Sequence, residues 1–515
     1  MVFRLPTAKG VRAIRLPTDK DLQRLAAANY FELSDDELSV FTALMPELFS
    51  SYELLEQMPL PYEPLKYRDR DSGYRPSRDE DPFNAVVRRF SLRGAASGIL
   101  AGKRVGLKNN VCVAGTPMTC GSLVLEGYIP EADATVVTRL LDAGAEIVAN
   151  LNMENLALSG SGDTSTHGPV LNPHNPEYLA GGSSSGSAAA LFYDFIDITI
   201  GGDQGGSIRI PASFCGVVGL KPTFGLVPYT GILGVDHTVD HAGPMAQSVA
   251  DVALTLEAIA GKDPLDPRQG EVPVQSYTGS LDGDIKGLRI GVLAEGFGLA
   301  ESEPDVDGAV RKAAEAFNGL GAQVREISIP IHREAAAVHF GIFAEGTAAL
   351  LRSNGMGHHW EGLYNPGLAE TFGKFRRAQA NDFPPTAKLV LLIGTYMSEH
   401  YHGRMYAKAQ NLRRLVRAGY DRALEQVDVL ALPTTPMTAP KYEPDLDLMG
   451  LITHGWTSAV NTAPFNDSGH PAISIPCGKS KGLPVGMMLV TRRFDDATLL
   501  RAAHAFEQGV NWETL

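Results

Sequence analysis

The segment Gly201-Gly202-Asp203-Gln204-Gly205-Gly206-Ser207-Ile208-Arg209-Ile210-Pro211 constrains this chain more than any other. It follows Phe195-Ile196-Asp197-Ile198-Thr199-Ile200, whose alternating branched residues predict a strand entering a core. Four glycines then fall within six residues, and a single serine follows them. Glycines at that density let a backbone approach a ligand closely and turn successive N–H groups into one concavity. A hydroxyl at the edge of such a nest is a nucleophile beside donors for a developing oxyanion, which is what acyl transfer requires. The same letters also fit a glycine-rich turn with a structural serine, so the segment needs support from the rest of the chain.

That support begins with the chain's organisation. Thr18 can cap a first helix through Leu22, Leu25 and Ala26, and Ser34 with Glu37 forms a capping box before a stronger one. In the second, Leu38, Phe41, Leu44, Met45, Leu48, Tyr52 and Leu55 step by three and four, a stripe that must face the main body or a partner subunit. Pro59, Pro61, Pro64, Pro76 and Pro82, mixed with Arg68-Asp69-Arg70-Asp71, read as a linker. The expected division is a helical extension and linker over 1–88 and a main domain over 89–515. Within the latter, strand patterns at 103–107, 146–149, 323–327, 427–432, 472–475 and 485–490 alternate with helix patterns at 133–143, 187–192, 248–260 and 307–320. The expected class is therefore α/β, a mixed β-sheet core covered by helices on both faces. Residues 335–425 are mostly helical and suit a smaller lobe.

Charge and motif tests narrow the chemistry. A formal net charge of −14 argues against a general nucleic-acid or anionic-membrane surface. Cys112, Cys120, Cys215 and Cys477 lack CxxC or zinc spacing and fit buried thiols in a reducing compartment. Met1-Val2-Phe3-Arg4-Leu5-Pro6 lacks the apolar core of a signal peptide, and no apolar run approaches the ~20 residues that span a bilayer. A cytoplasmic location is the expectation. No GxxxxGK[ST], GxGxxG after a strand, or HExxH occurs, and the pairs His237/His241, His358/His359 and His400/His402 lack a third ligand, so no metal is expected. Gly182-Ser183-Ser184-Ser185-Gly186 satisfies GxSxG, but a nucleophile elbow needs a strand before it. Here Asn172-Pro173-His174-Asn175-Pro176 forms turns instead.

Three segments then ask for one account: Gly181-Gly182-Ser183-Ser184-Ser185-Gly186-Ser187, Gly205-Gly206-Ser207, and Lys108 after the apolar Val105-Gly106-Leu107. A lysine acts as a base only when neutral, and desolvation favours that form. A buried Lys108, a bridging serine and a nucleophilic serine would make a proton relay without histidine. An exposed Lys108 with Ser183 as a helix cap fits the same composition.

GGSSSGSAAA followed by GGDQGGSIRIPASFCGVVGLKPTFG resembles the signature of the amidase signature family, and Lys108-Asn109-Asn110 with Gly115-Thr116-Pro117-Met118-Thr119-Cys120-Gly121-Ser122 resembles its lysine motif. The likeness covers roughly residues 90–510. The helical extension and the Asp203-Gln204-Gly205-Gly206-Ser207 variant are similar, more narrowly, to nitrile-hydratase-linked enantioselective amidases, whose extension contributes to a homodimer. The resemblance implies that Ser207 attacks the carbonyl, that Ser183 bridges after a cis peptide, and that neutral Lys108 takes the proton. It implies an oxyanion hole from the backbone of Gln204, Gly205, Gly206 and Ser207, a substrate-side loop at Ala157, Leu158, Ser159 and Gly160, and pocket walls including Leu158, Val239, Phe340 and Ile452. It implies no cofactor, a small-molecule amide as substrate, and a homodimer through the N-terminal helices. Two residues depart from the family: Asn109 replaces an aspartate after the lysine, and Gln204 replaces a threonine or isoleucine. The expected activity is hydrolysis of carboxylic amides. A glutaminase component of an amidotransferase, or a catalytically silent binding protein on the same fold, are the alternatives.

Overall fold

Short runs of branched residues build one mixed sheet from β1 (Val86–Arg93), β2 (Arg104–Lys108), β3 (Glu146–Leu151), β4 (Ile198–Asp203), β5 (Val218–Lys221), β6 (His241–Ala246), β7 (Arg289–Leu293), β8 (Gln323–Ile327), β9 (Val429–Pro433), β10 (Ala472–Ser480) and β11 (Leu483–Val490). They lie in the order β1-β3-β2-β4-β6-β5-β10-β11-β9-β7-β8. Parallel pairs (β2 with β3 and β4, β7 with β8 and β9) occur toward both ends, and an antiparallel run joins them. The computed structural model describes residues 14–359 and 361–515; the expectation drawn from Met1 to Pro6 lies outside them.

Strand β4 is buried along its whole length, as a strand covered on both faces must be. Successive residues Met245 and Ala246 of β6 enter two different apolar clusters, as pleat alternation requires. On one side sit helices Thr135–Asp142 and Val249–Ile259, and on the other the short helices Ser185–Ala189 and Arg209–Cys215. The expected mixed α/β architecture is the one observed.

The division of the chain differs from the expectation. One compact unit ends at Pro64 and the other runs from Leu65 to the C-terminus. Residues 65–88 belong to the larger unit because their charges are used there: Arg70 makes a two-pronged, nearly buried pair with Asp133, and Tyr74 bridges to Arg89 on β1. The helices Ile331–Arg352, Pro366–Ala378, Pro385–Tyr401 and Arg404–Gln426 lie within that larger unit. In the N-terminal unit, helices Asp19–Ala28 and Asp35–Gln57 both carry the capping box, with Thr18 and Ser34 accepting from the backbone three residues on. No helix among the described residues is long and apolar enough to cross a membrane.

What matters for the site is one edge of the sheet. β2 and β4 are parallel neighbours, with Leu107 opposite Ile200, so Lys108 and the loop after Asp203 open at the same end. The carboxyl ends of parallel strands are where α/β sheets gather ligand-binding groups.

Candidate active site

Lys108 closes β2 and is fully buried. Its Nζ lies 2.7 Å from Ser183 Oγ and donates to the Gly202 carbonyl at 3.1 Å. Burial pushes its ammonium down from the ordinary 10.5 to about 7, with the Asp203 carboxylate the strongest opposing pull. Near neutrality a substantial fraction of this amine therefore has a free lone pair, which the Ser183 hydroxyl can meet. No carboxylate stands at the next position. Asn109 instead turns its carbonyl to the Thr119 N–H and hydroxyl, at 2.8 and 2.7 Å.

Ser183 follows a cis peptide from Gly182 and is also fully buried. Its neighbour Ser184 ties this segment to both ends of the glycine loop. The Ser184 hydroxyl donates to the Gly202 carbonyl at 3.1 Å, and its N–H donates to the Ser207 carbonyl at 3.1 Å. Among the described residues the Ser207 hydroxyl has no hydrogen-bond partner. Links of this kind commonly tighten only in the substrate complex.

The loop between Asp203 and Ser207 is held from outside. Asp203 accepts from Gly206 N–H at 2.8 Å, from Ile208 N–H at 3.1 Å, and from the fully buried Arg209 guanidinium at 2.9 and 3.0 Å. Burial alone would raise this carboxyl, but Arg209, then Asn466, hold it well below the usual carboxylate range. Thr462 donates to the Gly205 carbonyl at 2.6 Å and Asn466 to the Asp203 carbonyl at 2.9 Å. With those carbonyls turned away, the N–H groups of Gln204, Gly205 and Ser207 have no protein acceptor among the described residues. Gly206 departs from the sequence expectation: its N–H is spent on Asp203, so it shapes the concavity rather than donating into it. Only glycine fits there, since φ is +137° and a Cβ would stand 2.2 Å from Thr462 Oγ1. The Gln204 side chain also faces away, donating to the Tyr229 hydroxyl at 3.0 Å.

Ala157, Leu158, Ser159, Gln204, Gly205, Ser207 and Phe340 line one cleft of about 740 Å³, part of it open to solvent. Val239 and Ile452 do not. Val239 is fully buried beside β6, where its carbonyl accepts from His241 and Asn466. Ile452 lies one turn too early on helix Leu448–Trp456, whose Gly455 and Trp456 reach the cleft instead. Sequence reasoning missed Ile210, Ala336, His339, Phe343, Trp456 and Val460. The spacing 336, 339, 340, 343 on helix Ile331–Arg352 was the available signal, because one helical face carries all four. Among the described residues no Asp, Glu, Lys or Arg lines the cleft, and no group of His, Cys, Asp and Glu is placed to hold a metal ion.

A family model described as Amidase matches residues 85–500. The chain is 41% identical over 501 residues to an enantioselective amidase of Rhodococcus rhodochrous, covering 96% of each chain. It is 42% identical over 424 residues to a glutamyl-tRNA(Gln) amidotransferase component of Moorella thermoacetica, covering 82% of this chain and 85% of that one. Among solved structures it is similar to the native peptide amidase of Stenotrophomonas maltophilia, with 30% identity, a TM-score of 0.67, and coverage of 83% and 89% of the two chains.

Proposed function

The chain belongs to the amidase signature family and is an amidase, and from that premise we propose that it cleaves carboxylic amides through an ester on Ser207. The observation that carries this reading is the 2.7 Å approach of a fully buried lysine amine to the Ser183 hydroxyl, next to a serine flanked by unpaired N–H groups. Lys108 takes the Ser183 proton as Ser183 takes that of Ser207. The Ser207 oxygen bonds to the amide carbon, and the oxyanion rests on the N–H groups of Gln204, Gly205 and Ser207. Collapse breaks the C–N bond, and the proton returns through Ser183 to the departing nitrogen. Water then attacks the ester by the same route and releases the acid. No cofactor takes part.

An active-site-directed fluorophosphonate tests this directly. It should add one phosphonyl group, found by peptide mass spectrometry on Ser207. Labelling should vanish in Ser207→Ala and fall steeply in Lys108→Ala, and no labelling between pH 7 and 9 would favour the silent-scaffold alternative.

A glutaminase role draws on the similarity to the Moorella amidotransferase component. The cleft weighs against it, because no charged side chain among the described residues lines it to pair with the ammonium and carboxylate of glutamine. Walls of Leu158, Ile210, Phe340, Phe343 and Trp456 suit an apolar or aromatic acyl group.

The homodimer is likewise our proposal. It is supported by helix Asp35–Gln57, which buries none of its residues while exposing Phe41, Leu44, Leu48, Tyr52 and Leu55. Light scattering should give twice the 55.1 kDa chain mass, and Leu48→Glu with Tyr52→Lys should halve it. A cytoplasmic site is proposed from four buried, unpaired cysteines.

A further inference from the structure

His339 is the imidazole that lines this cleft, and the relay leaves it unused. It projects from helix Ile331–Arg352 against the oxyanion loop, close enough that a Cβ on Gly205 would stand 2.9 Å from its Nε2. Its Nδ1 lies 3.0 Å from Oδ1 of Asp467, a fully buried carboxylate, and its ring stacks on Phe343 at 6.0 Å and 21°. An imidazole facing a carboxylate donates Nδ1–H to it, so in the neutral ring Nε2 carries the lone pair. The ring is thus fixed in plane and tautomer, with an acceptor turned to the cleft.

The position of that acceptor limits what it meets. The apolar walls Leu158, Phe343 and Trp456, which suit the acyl group, line the same cleft as His339. His339 therefore stands on the acyl side. It lies beside Gly205, whose N–H is placed to hold the carbonyl oxygen, so it is within reach of the first atoms beyond the scissile carbon. A lone pair there repels an oxyanion and another acceptor, and it welcomes a donor.

Resting on the amide-hydrolysis reading above, we propose that His339, oriented by Asp467, is a specificity-determining residue that selects acyl groups with a hydrogen-bond donor on the carbon next to the carbonyl, such as 2-hydroxy carboxamides with an apolar or aromatic remainder. The apolar walls bury that remainder. The substrate hydroxyl satisfies an otherwise unpaired nitrogen, and an analogue without it leaves the nitrogen bare.

The test compares kcat/KM for 2-hydroxy-2-phenylacetamide, its 2-fluoro analogue and 2-phenylacetamide. Fluorine is similar in size to the hydroxyl and withdraws electrons, but it has no hydrogen to donate. Dividing each hydroxy-to-fluoro ratio by that of His339→Leu cancels intrinsic reactivity, and this quotient should be on the order of 10 or more. His339→Gln, which can keep an acceptor at the same reach, should restore part of the ratio. Thermal unfolding checks that each variant is folded, and the wild-type and Gln ratios carry the comparison if the Leu variant is not. Equal ratios in wild type and variants would overturn the assignment, as would a uniform loss on all three amides in His339→Leu. Failure of the wild type to hydrolyse any of the three would instead bring down the acyl-transfer reading, and this assignment with it.

Discussion

Lys108→Met should lose at least a thousandfold in kcat while binding of a non-hydrolysed amide analogue stays within a few-fold. The group removed acts on a proton in flight and touches no part of the acyl chain, so the loss belongs to the transition state. In the wild type the same amine should set the acid limb of the pH profile: kcat/KM rises through about pH 7, where the buried amine gives up its proton. The stability consequence has the opposite direction from a surface lysine. Folded Lys108 titrates at about 7 and the unfolded residue near 10.5. The cost of burying the ammonium is therefore fully present below pH 7, shrinks as pH rises to 10.5, and is gone above it. Each pKa unit is about 1.4 kcal/mol. Methionine removes this penalty but leaves the Ser183 hydroxyl and the Gly202 carbonyl without their nitrogen, at about 1–3 kcal/mol for each buried group. The diagnostic is consequently the slope. Urea titrations should show the variant's stability, relative to wild type, highest near pH 6 and declining steadily to pH 10. A flat difference would mean that Lys108 is charged and paired at neutral pH, and the relay could not start from it.

The sequence made the ends of the relevant strands legible because their composition is extreme. β4 alternates Ile198, Thr199 and Ile200 before four glycines, and β8, β10 and β11 follow equally plain branched runs. Four strands were not anticipated, for identifiable reasons. β6 reads His241-Ala242-Gly243-Pro244-Met245-Ala246, and an internal proline argues against a strand, yet Pro244 pairs opposite Ile200 in the middle of the sheet. β1 carries three arginines among its apolar residues, β5 is four residues long, and β7 has Arg289 and Gly291 within a run of only five residues. Tertiary pairing, which no local pattern encodes, decides these.

For the site, residue types and spacing identified Lys108, Ser183 and Ser207 as candidates, and the fold brings the first two into hydrogen-bond contact. The supporting shell was invisible. Thr462 and Asn466 sit more than 250 residues from the loop they hold, and Asp467 lies 128 residues from His339, in a segment whose letters resemble an ordinary turn. Val239 and Ile452 failed as wall residues for the same reason: which face of a loop or helix turns to the cleft depends on packing partners far along the chain.

Arg209→Met should be the most destabilising single change near the site. Arg209 and Asp203 are both fully buried, and removing the guanidinium leaves the carboxylate with only neutral donors around it. Breaking a buried pair from one side typically costs about 3–5 kcal/mol, because the surviving charge stays desolvated. Arg209 also donates to the Thr462 carbonyl at 2.9 Å and to Asn466 Oδ1 at 2.7 Å, the two residues that turn the loop carbonyls outward. The oxyanion nest should therefore loosen together with the fold. The pH sign separates the two effects. In the wild type, Asp203 has a depressed pKa and contributes stability above the unfolded carboxyl range near 3.8, lost only as pH falls through its much lower folded value. In the variant, burial without its counter-ion pushes the carboxyl up, so acid relieves the strain and the gap to wild type should narrow toward pH 4. Adding Asp203→Asn removes the orphan charge and should recover a large part of the lost stability at pH 7, giving a strongly non-additive double-mutant cycle. It should not recover turnover, since one amide oxygen cannot hold the Gly206 and Ile208 N–H groups as two carboxylate oxygens do. Stability restored with kcat still depressed would assign Asp203 and Arg209 to positioning the anion-binding loop, whereas recovery of both would reduce the pair to scaffolding.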